Sequence, residues 1–244
     1  MMKFFLSSLL LLSSLSCISF STHSFELVPH SATYSANIKK GIKIKGKAAR
    51  HLKKMDENRW HYSFNVRSFV ADINESTQFT FEDGRLLPQG YNYRLSPMFG
   101  RDRKAKVHFD WQADMVNGRS KGADWEITGI PSNTYDRLSY QLQLLRELDS
   151  PSPRLDFQIA HKKKLRPSTF VKTGEELITT KLGEAKALVV KKVRADDSKR
   201  QTYLWVSEKY PMLLLKMTQI EKDGEEYEIH LETANVNGTE VTFK

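Results

Sequence analysis

The sequence predicts a mostly β protein, an antiparallel curved sheet or open barrel-like β domain with one amphipathic helix. Short runs of alternating apolar and polar residues recur from residue 32 onward, the period of half-buried strands. Turn dipeptides such as Asp83-Gly84 and Asp223-Gly224 separate these runs at close spacing. Only residues 134–148 carry a long helical period, with Leu138, Leu142, Leu145 and Leu148 on one stripe.

Residues 32–38 alternate as a first strand, and residues 41–47 alternate apolar side chains with lysine, as in a sheet with one wet face. Trp60, Tyr62, Phe64 and Val66 take every second position of the next run. The polar turn Asp56-Glu57-Asn58 makes residues 42–66 a hairpin. Residues 77–81 and 91–95 flank the Glu82-Asp83-Gly84 turn, and residues 106–111 and 124–128 complete the first half. Asp136 suits the start of the helix and Arg146 its end, because the helix dipole favours an anion first and a cation last. Ser150-Pro151-Ser152-Pro153 stops it, since proline cannot continue the hydrogen-bond ladder. Period-two runs resume at 155–159, 168–171, 175–181 and 185–193, and the most apolar ones follow at 201–206 and 212–220. Residues 227–231 and 239–243 close the chain. No stretch after residue 30 is long and polar enough to be an interdomain linker, so residues 25–244 are expected to form one domain.

Met1-Met2-Lys3, the apolar residues 4–12 and a serine-rich tail to Ser24 have the layout of a secretory signal peptide. Serines interrupt the run too often for a membrane span, which needs about 20 predominantly apolar residues. Residues 1–24 are therefore expected to be removed after Ser21 or Ser24, and the protein to be periplasmic. Cys17, the single cysteine, lies within that segment; it reads as an ordinary signal residue, with a lipoprotein acceptor as the alternative. The mature chain then has no disulfide and rests on its core and sheet.

Lysine and arginine number 38 against 29 acidic residues, a net charge of +9, and loss of Lys3 leaves it near +8. Such a surface favours lipid headgroups or another anionic envelope surface. An exported protein seldom meets nucleic acid, so none is expected as a partner.

The histidines are scattered, with no His-x-His or His-Glu-x-x-His pattern, and no metal or cofactor motif is present. His161, before Lys162-Lys163-Lys164, reads as part of a solvated turn or a strand end rather than as a general base. There is no nucleophile elbow or phosphate-binding glycine loop, and no catalytic residue is assigned. The aromatic residues are more telling. Trp60, Tyr62, Phe64, Phe79, Phe81, Tyr91, Tyr93, Phe109, Trp111, Tyr203 and Trp205 keep a single parity within each strand. Such a face either packs a core over the helix or lines an apolar cavity. In the cavity reading, Trp60, Phe64, Trp111, Leu138, Leu142 and Trp205 line a ligand site. Gln141, within the leucine sector of the helix, supplies a polar point. Separately, Phe99 beside Arg101, Arg103 and Lys104 combines an apolar tip with cations, as a membrane-surface loop would.

Five ordered pieces carry a family resemblance: Tyr34-Ser35-Ala36, Phe109-Asp110-Trp111, Asp136-Arg137-Leu138-Ser139, Gly183 with Ala187 and Val190, and Leu204-Trp205-Val206-Ser207 before a proline turn. Together they resemble the DUF3108 family of exported bacterial proteins over roughly residues 33–234. Ile130-Pro131-Ser132-Asn133 departs from that pattern. The resemblance implies an exported, mostly antiparallel β domain and carries over no catalytic residues. The expected function is binding of a lipid or other amphiphilic envelope component. The alternatives are a scaffold that binds an envelope protein through a sheet edge, and a glycan-cleaving enzyme with two carboxylates facing one cleft.

Overall fold

The computed structural model describes residues 27–40, 42–194 and 198–243; the expected signal segment and Cys17 lie outside the described residues. The first half is a chain of hairpins: β1 (His30–Lys40), β2 (Ile42–Lys54), β3 (Arg59–Ser68), β4 (Ala71–Glu82), β5 (Arg85–Pro97), β6 (Arg103–Asp110), β7 (Met115–Ser120) and β8 (Ala123–Thr128). The short β9 (Thr134–Tyr135) and the helix α1 (Ser139–Glu147) lead to the second half. There β10 (Arg154–His161), β11 (Lys164–Thr180), β12 (Gly183–Val193), β13 (Gln201–Ser207), β14 (Leu214–Ile220) and β15 (Glu226–Val236) follow, with β16 (Thr239–Glu240) last.

Among the described residues the sixteen strands join one sheet in the order β8-β7-β6-β5-β4-β3-β2-β1-β15-β14-β13-β12-β11-β10-β9, with β16 on β15. Every pairing is antiparallel except the two-residue contact of β9 with β10. The halves meet where β1 pairs with β15, and the terminal strands β8 and β9 do not pair with each other. The sheet therefore curves without closing, as the sequence predicts.

The helix is shorter than its periodicity. Thr134 and Tyr135, read as its beginning, instead pair with Gln158 and Ile159. Asp136 then turns the chain: its Oδ1 accepts the amides of Leu138 and Ser139 at 2.7 and 2.8 Å, while Ser139 Oγ accepts the Asp136 amide at 3.1 Å. This reciprocal arrangement satisfies amides that the first helical turn leaves free. Asp136 Oδ2 accepts the Thr77 hydroxyl at 2.7 Å, so the turn is also tied to β4.

Three further strands differ from the sequence reading. β7 is additional; Gly118 breaks its apolar face because the Trp125 ring of β8 lies over that position. β11 runs unbroken across a bulge between Lys172 and Gly174, where the sequence suggests two runs. The last strand holds only Thr239 and Glu240, although Val241 and Phe243 remain buried beyond it.

The concave face carries the core. Tyr34, Leu52, Tyr62, Phe79, Leu86 and Phe109 from the first half are fully buried, as are Phe157 and Phe170 from the second. Leu138 and Leu142 of the helical segment are fully buried too. One transverse row of directly opposed residues, Ala32, Arg50, Phe64, Glu75, Tyr93 and Ala105, crosses that face from β1 to β6. Two charges in such a row stand out.

Candidate ligand-binding site

Arg50 follows Ala48 and precedes Leu52 on the inward parity of β2, so its guanidinium is carried beneath the helix. It is 7% exposed. It donates to the Tyr62 hydroxyl and to Gln141 Oε1, each at 2.9 Å, and lies 5.0 Å from the Phe64 ring centroid. Among the described residues it has no salt bridge, and its Nε has no hydrogen-bond partner. The buried Glu75 carboxyl attracts it electrostatically without a direct ion pair, and a buried cation that is not directly paired favours an anion that can reach it.

A cavity of about 840 Å³ opens beside this group, between α1 and strands β10 to β14. Arg50, Arg137, Arg166, Lys192, Arg194 and Arg200 all contribute to its lining, and no carboxylate does among the described residues. Among the described residues only Arg200 of these has an ion pair, with Glu221 at 2.8 Å. The Nε atoms of Arg194 and Arg200 are, like that of Arg50, buried with no hydrogen-bond partner among the described residues. Lys192 donates to Ser168 Oγ at 3.0 Å. Burial, with Arg194 and Arg200 nearby, pushes its amine down to about 8. The rest of the wall is apolar: Leu144 and Leu145 from the helix face Ile159, Leu204, Leu214 and Met217 from the sheet.

A second hollow, of about 1000 Å³, lies toward the unpaired edges of the sheet, between β5–β8 and the end of β10. Arg137 and His161 line both spaces, so the two adjoin at these residues. Burial and the nearby Arg137, Lys162 and Arg166 push the His161 imidazole down to about 4, which leaves it neutral near pH 7.

Two buried carboxyls flank the region. Burial pushes Glu75 upward, against the pull of Arg137 and of the 2.7 Å hydrogen bond from Tyr91. Asp136 is also pushed up by burial, but its oxygens are engaged by the helix start and Thr77. Its role is to hold the helix in place.

The residues expected to line a ligand site are divided by the fold. Gln141 lines the cavity, and Phe64 lies under Arg50. Leu138 and Leu142 belong to the solid core on the sheet side of the helix. Trp60 and Trp111 line a different hollow of about 710 Å³; Trp111 stacks on Phe109 at 5.6 Å and donates to the Pro88 carbonyl at 2.7 Å. Trp205 lies away from the cavity, on the face where Lys216 covers its ring at 4.6 Å and Glu176 accepts its indole N–H at 2.8 Å. Arg101, Arg103 and Lys104 border the second hollow, and Phe99 stands at the tip of the adjoining turn. Sequence reasoning missed Arg50, Arg137 and Lys192. The available signal was Arg50 itself, a charge in phase with Ala48 and Leu52.

Residues 32–232 match the family described as "Protein of unknown function (DUF3108)". The chain belongs to the DUF3108 family. Its fold is similar to that of a solved beta-barrel-like protein of the domain of unknown function DUF1849 from Brucella abortus. The TM-score is 0.59 at 11% identity, covering 87% of this chain and 99% of that one. A DUF1329 family protein from Desulfovibrio piger ATCC 29098 is matched at 9% identity over 86% of this chain and 85% of that one. Its TM-score is 0.23. No curated protein matches the chain. At these identities the likeness concerns the fold alone, so any activity of this DUF3108 member has to be argued from its own side chains.

Proposed function

We propose that this DUF3108 protein binds an anionic amphiphile, with the acidic headgroup against Arg50, Lys192 and Arg194 and the apolar part along the helix. The observation that carries the reading is Arg50: a buried guanidinium with no salt bridge to a carboxylate among the described residues, beside a cavity whose described charged lining is cationic. A phosphate or carboxylate would complete its hydrogen bonding and offset its charge. Leu144, Leu145, Leu204 and Met217 supply the apolar contact that a simple inorganic anion would not use. The ligand class fits an exported protein working among envelope lipids, which is the setting expected from residues 1–24.

Calorimetric titration with lysophosphatidic acid, against lysophosphatidylcholine of the same acyl chain below micelle formation, tests this. The anionic lipid is expected to bind at least about tenfold more tightly, a difference of about 1.4 kcal/mol. Arg50→Met should erase that preference while circular dichroism remains unchanged. Equal affinity for the two lipids, or binding of neither, overturns the proposal. Native mass spectrometry before and after organic extraction would then identify the endogenous molecule.

A further inference from the structure

Two hairpin tips at one end of the sheet carry large apolar side chains in water. Phe69 is 76% exposed and Val70 38% in the β3–β4 turn, while Met98 is 49% and Phe99 83% exposed in the β5–β6 turn. The tips are neighbours. The Met98 amide donates to the Val70 carbonyl at 2.9 Å, and Ala71 stands opposite Pro97 in the register. The patch is therefore continuous, although its parts are about thirty positions apart in the chain.

Both tips are held in shape. Ser68 Oγ donates to the Ala71 carbonyl at 2.8 Å and accepts its amide at 3.1 Å. Arg94 pairs with Asp102 at 2.7 Å, fixing the base of the second turn and neutralising its carboxylate. The groups left around the apolar tips are Arg67, Arg101, Arg103 and Lys104, all exposed and without ion pairs among the described residues. Asp72, opposite Arg67, is the nearby carboxylate that has no ion pair among the described residues.

We propose that these paired tips dock the protein on a negatively charged lipid bilayer, Phe69 and Phe99 entering the headgroup region and the cations contacting lipid phosphates. Protruding aromatic side chains ringed by arginine and lysine match the two layers of such a surface, apolar inside and anionic outside. Docking through these tips does not require the cavity to be filled. If the cavity does hold an amphiphile, docking brings the Arg101–Lys104 border of the second hollow to the membrane.

Cosedimentation with sucrose-loaded vesicles tests it, using phosphatidylethanolamine with phosphatidylglycerol at a three-to-one ratio against pure phosphatidylcholine. The natural protein should partition at least tenfold more strongly onto the anionic vesicles, and less so as salt rises. The double variant Phe69→Ser/Phe99→Ser should lose at least tenfold of that partitioning while its melting curve stays unchanged. Arg101→Gln/Arg103→Gln should lose the preference for anionic lipid and its salt dependence. Three outcomes overturn the proposal: no vesicle binding, binding that the tip variants leave intact, or tip-dependent self-association without vesicle binding. Lysophosphatidic acid affinity, measured without vesicles, should be unaffected by Phe69→Ser/Phe99→Ser, so failure here and failure of the cavity reading are separately visible.

Discussion

Arg50 and Gln141, 91 positions apart, meet at 2.9 Å across the space between the sheet and the helix. The contact joins the one buried cation of the inward row to the one amide in the helix's leucine sector. Gln141 also donates to the Arg137 carbonyl at 3.1 Å, which orients its oxygen toward the guanidinium. The helix thus presents an acceptor to Arg50 without neutralising it. That combination keeps the charge available to a ligand.

Bound anion should stabilise the fold through Arg50. At a ligand concentration one hundred times Kd, binding adds about 2.7 kcal/mol. A domain of this size gains about 2–4 °C per kcal/mol, so lysophosphatidic acid should raise the melting temperature by about 5–10 °C. Arg50→Met should reduce that shift to below about 2 °C. Thermal unfolding with and without lipid measures both, and an equal shift in the variant would exclude Arg50 as the headgroup partner.

Alternation and turn chemistry made most of the sheet legible, because strand residues report their own faces through a period of two. They do not report which face is inside. Tyr203 and Trp205 share a side as their parity requires, but Lys191, Lys216 and Glu176 accompany them on the face away from the cavity. Thr134 and Tyr135 extend the helical stripe in sequence, yet a tertiary pairing with β10 captures them. The basic cavity was hidden for another reason. Arg50, Arg137, Lys192 and Arg200 come from four separate segments, and charge on a basic chain reads as solvated surface until folding assembles it.

Asp136 should prove more valuable to stability than to ligand chemistry. Asp136→Ala removes the helix-start interactions, worth about 1 kcal/mol, and leaves the buried Thr77 hydroxyl unsatisfied at about 1–3 kcal/mol. The expected loss is about 2–4 kcal/mol, read by urea denaturation. Thr77→Val, which removes the hydroxyl and keeps the cap, should cost less. A loss below about 0.5 kcal/mol for Asp136→Ala would contradict the structural assignment.

Gly118 is a steric requirement of the unclosed edge. A Cβ there would run into the Lys106 carbonyl oxygen and the Trp125 ring. Gly118→Ala should therefore displace Trp125 and destabilise by about 1–3 kcal/mol, with a red shift of tryptophan emission. Gly90 on β5 has ordinary backbone angles, and its Cβ would meet only the Val107 carbonyl at 3.8 Å. Gly90→Ala should be neutral or stabilising by up to about 1 kcal/mol. Similar losses at both positions would count against the packing of Trp125 over β7.

Lys192 should make ligand binding consume a proton. Its folded-state amine is depressed from 10.5 to about 8, by burial first and then by Arg194 and Arg200. Between these values the unfolded chain holds a proton that the empty folded protein has released, so stability should rise with pH from about 8 to about 10.5. An anionic headgroup offsets the neighbouring positive charges and draws the proton back. At pH 8.5 the phosphate of lysophosphatidic acid is already ionised, so proton uptake reports the protein rather than the lipid. Titration calorimetry in two buffers of different ionisation enthalpy should show a fractional uptake near that pH and weaker binding as pH rises toward 10. Lys192→Met should abolish the uptake and flatten the pH dependence of stability in the same window. Uptake that persists in the variant would place the titrating group elsewhere in the cavity.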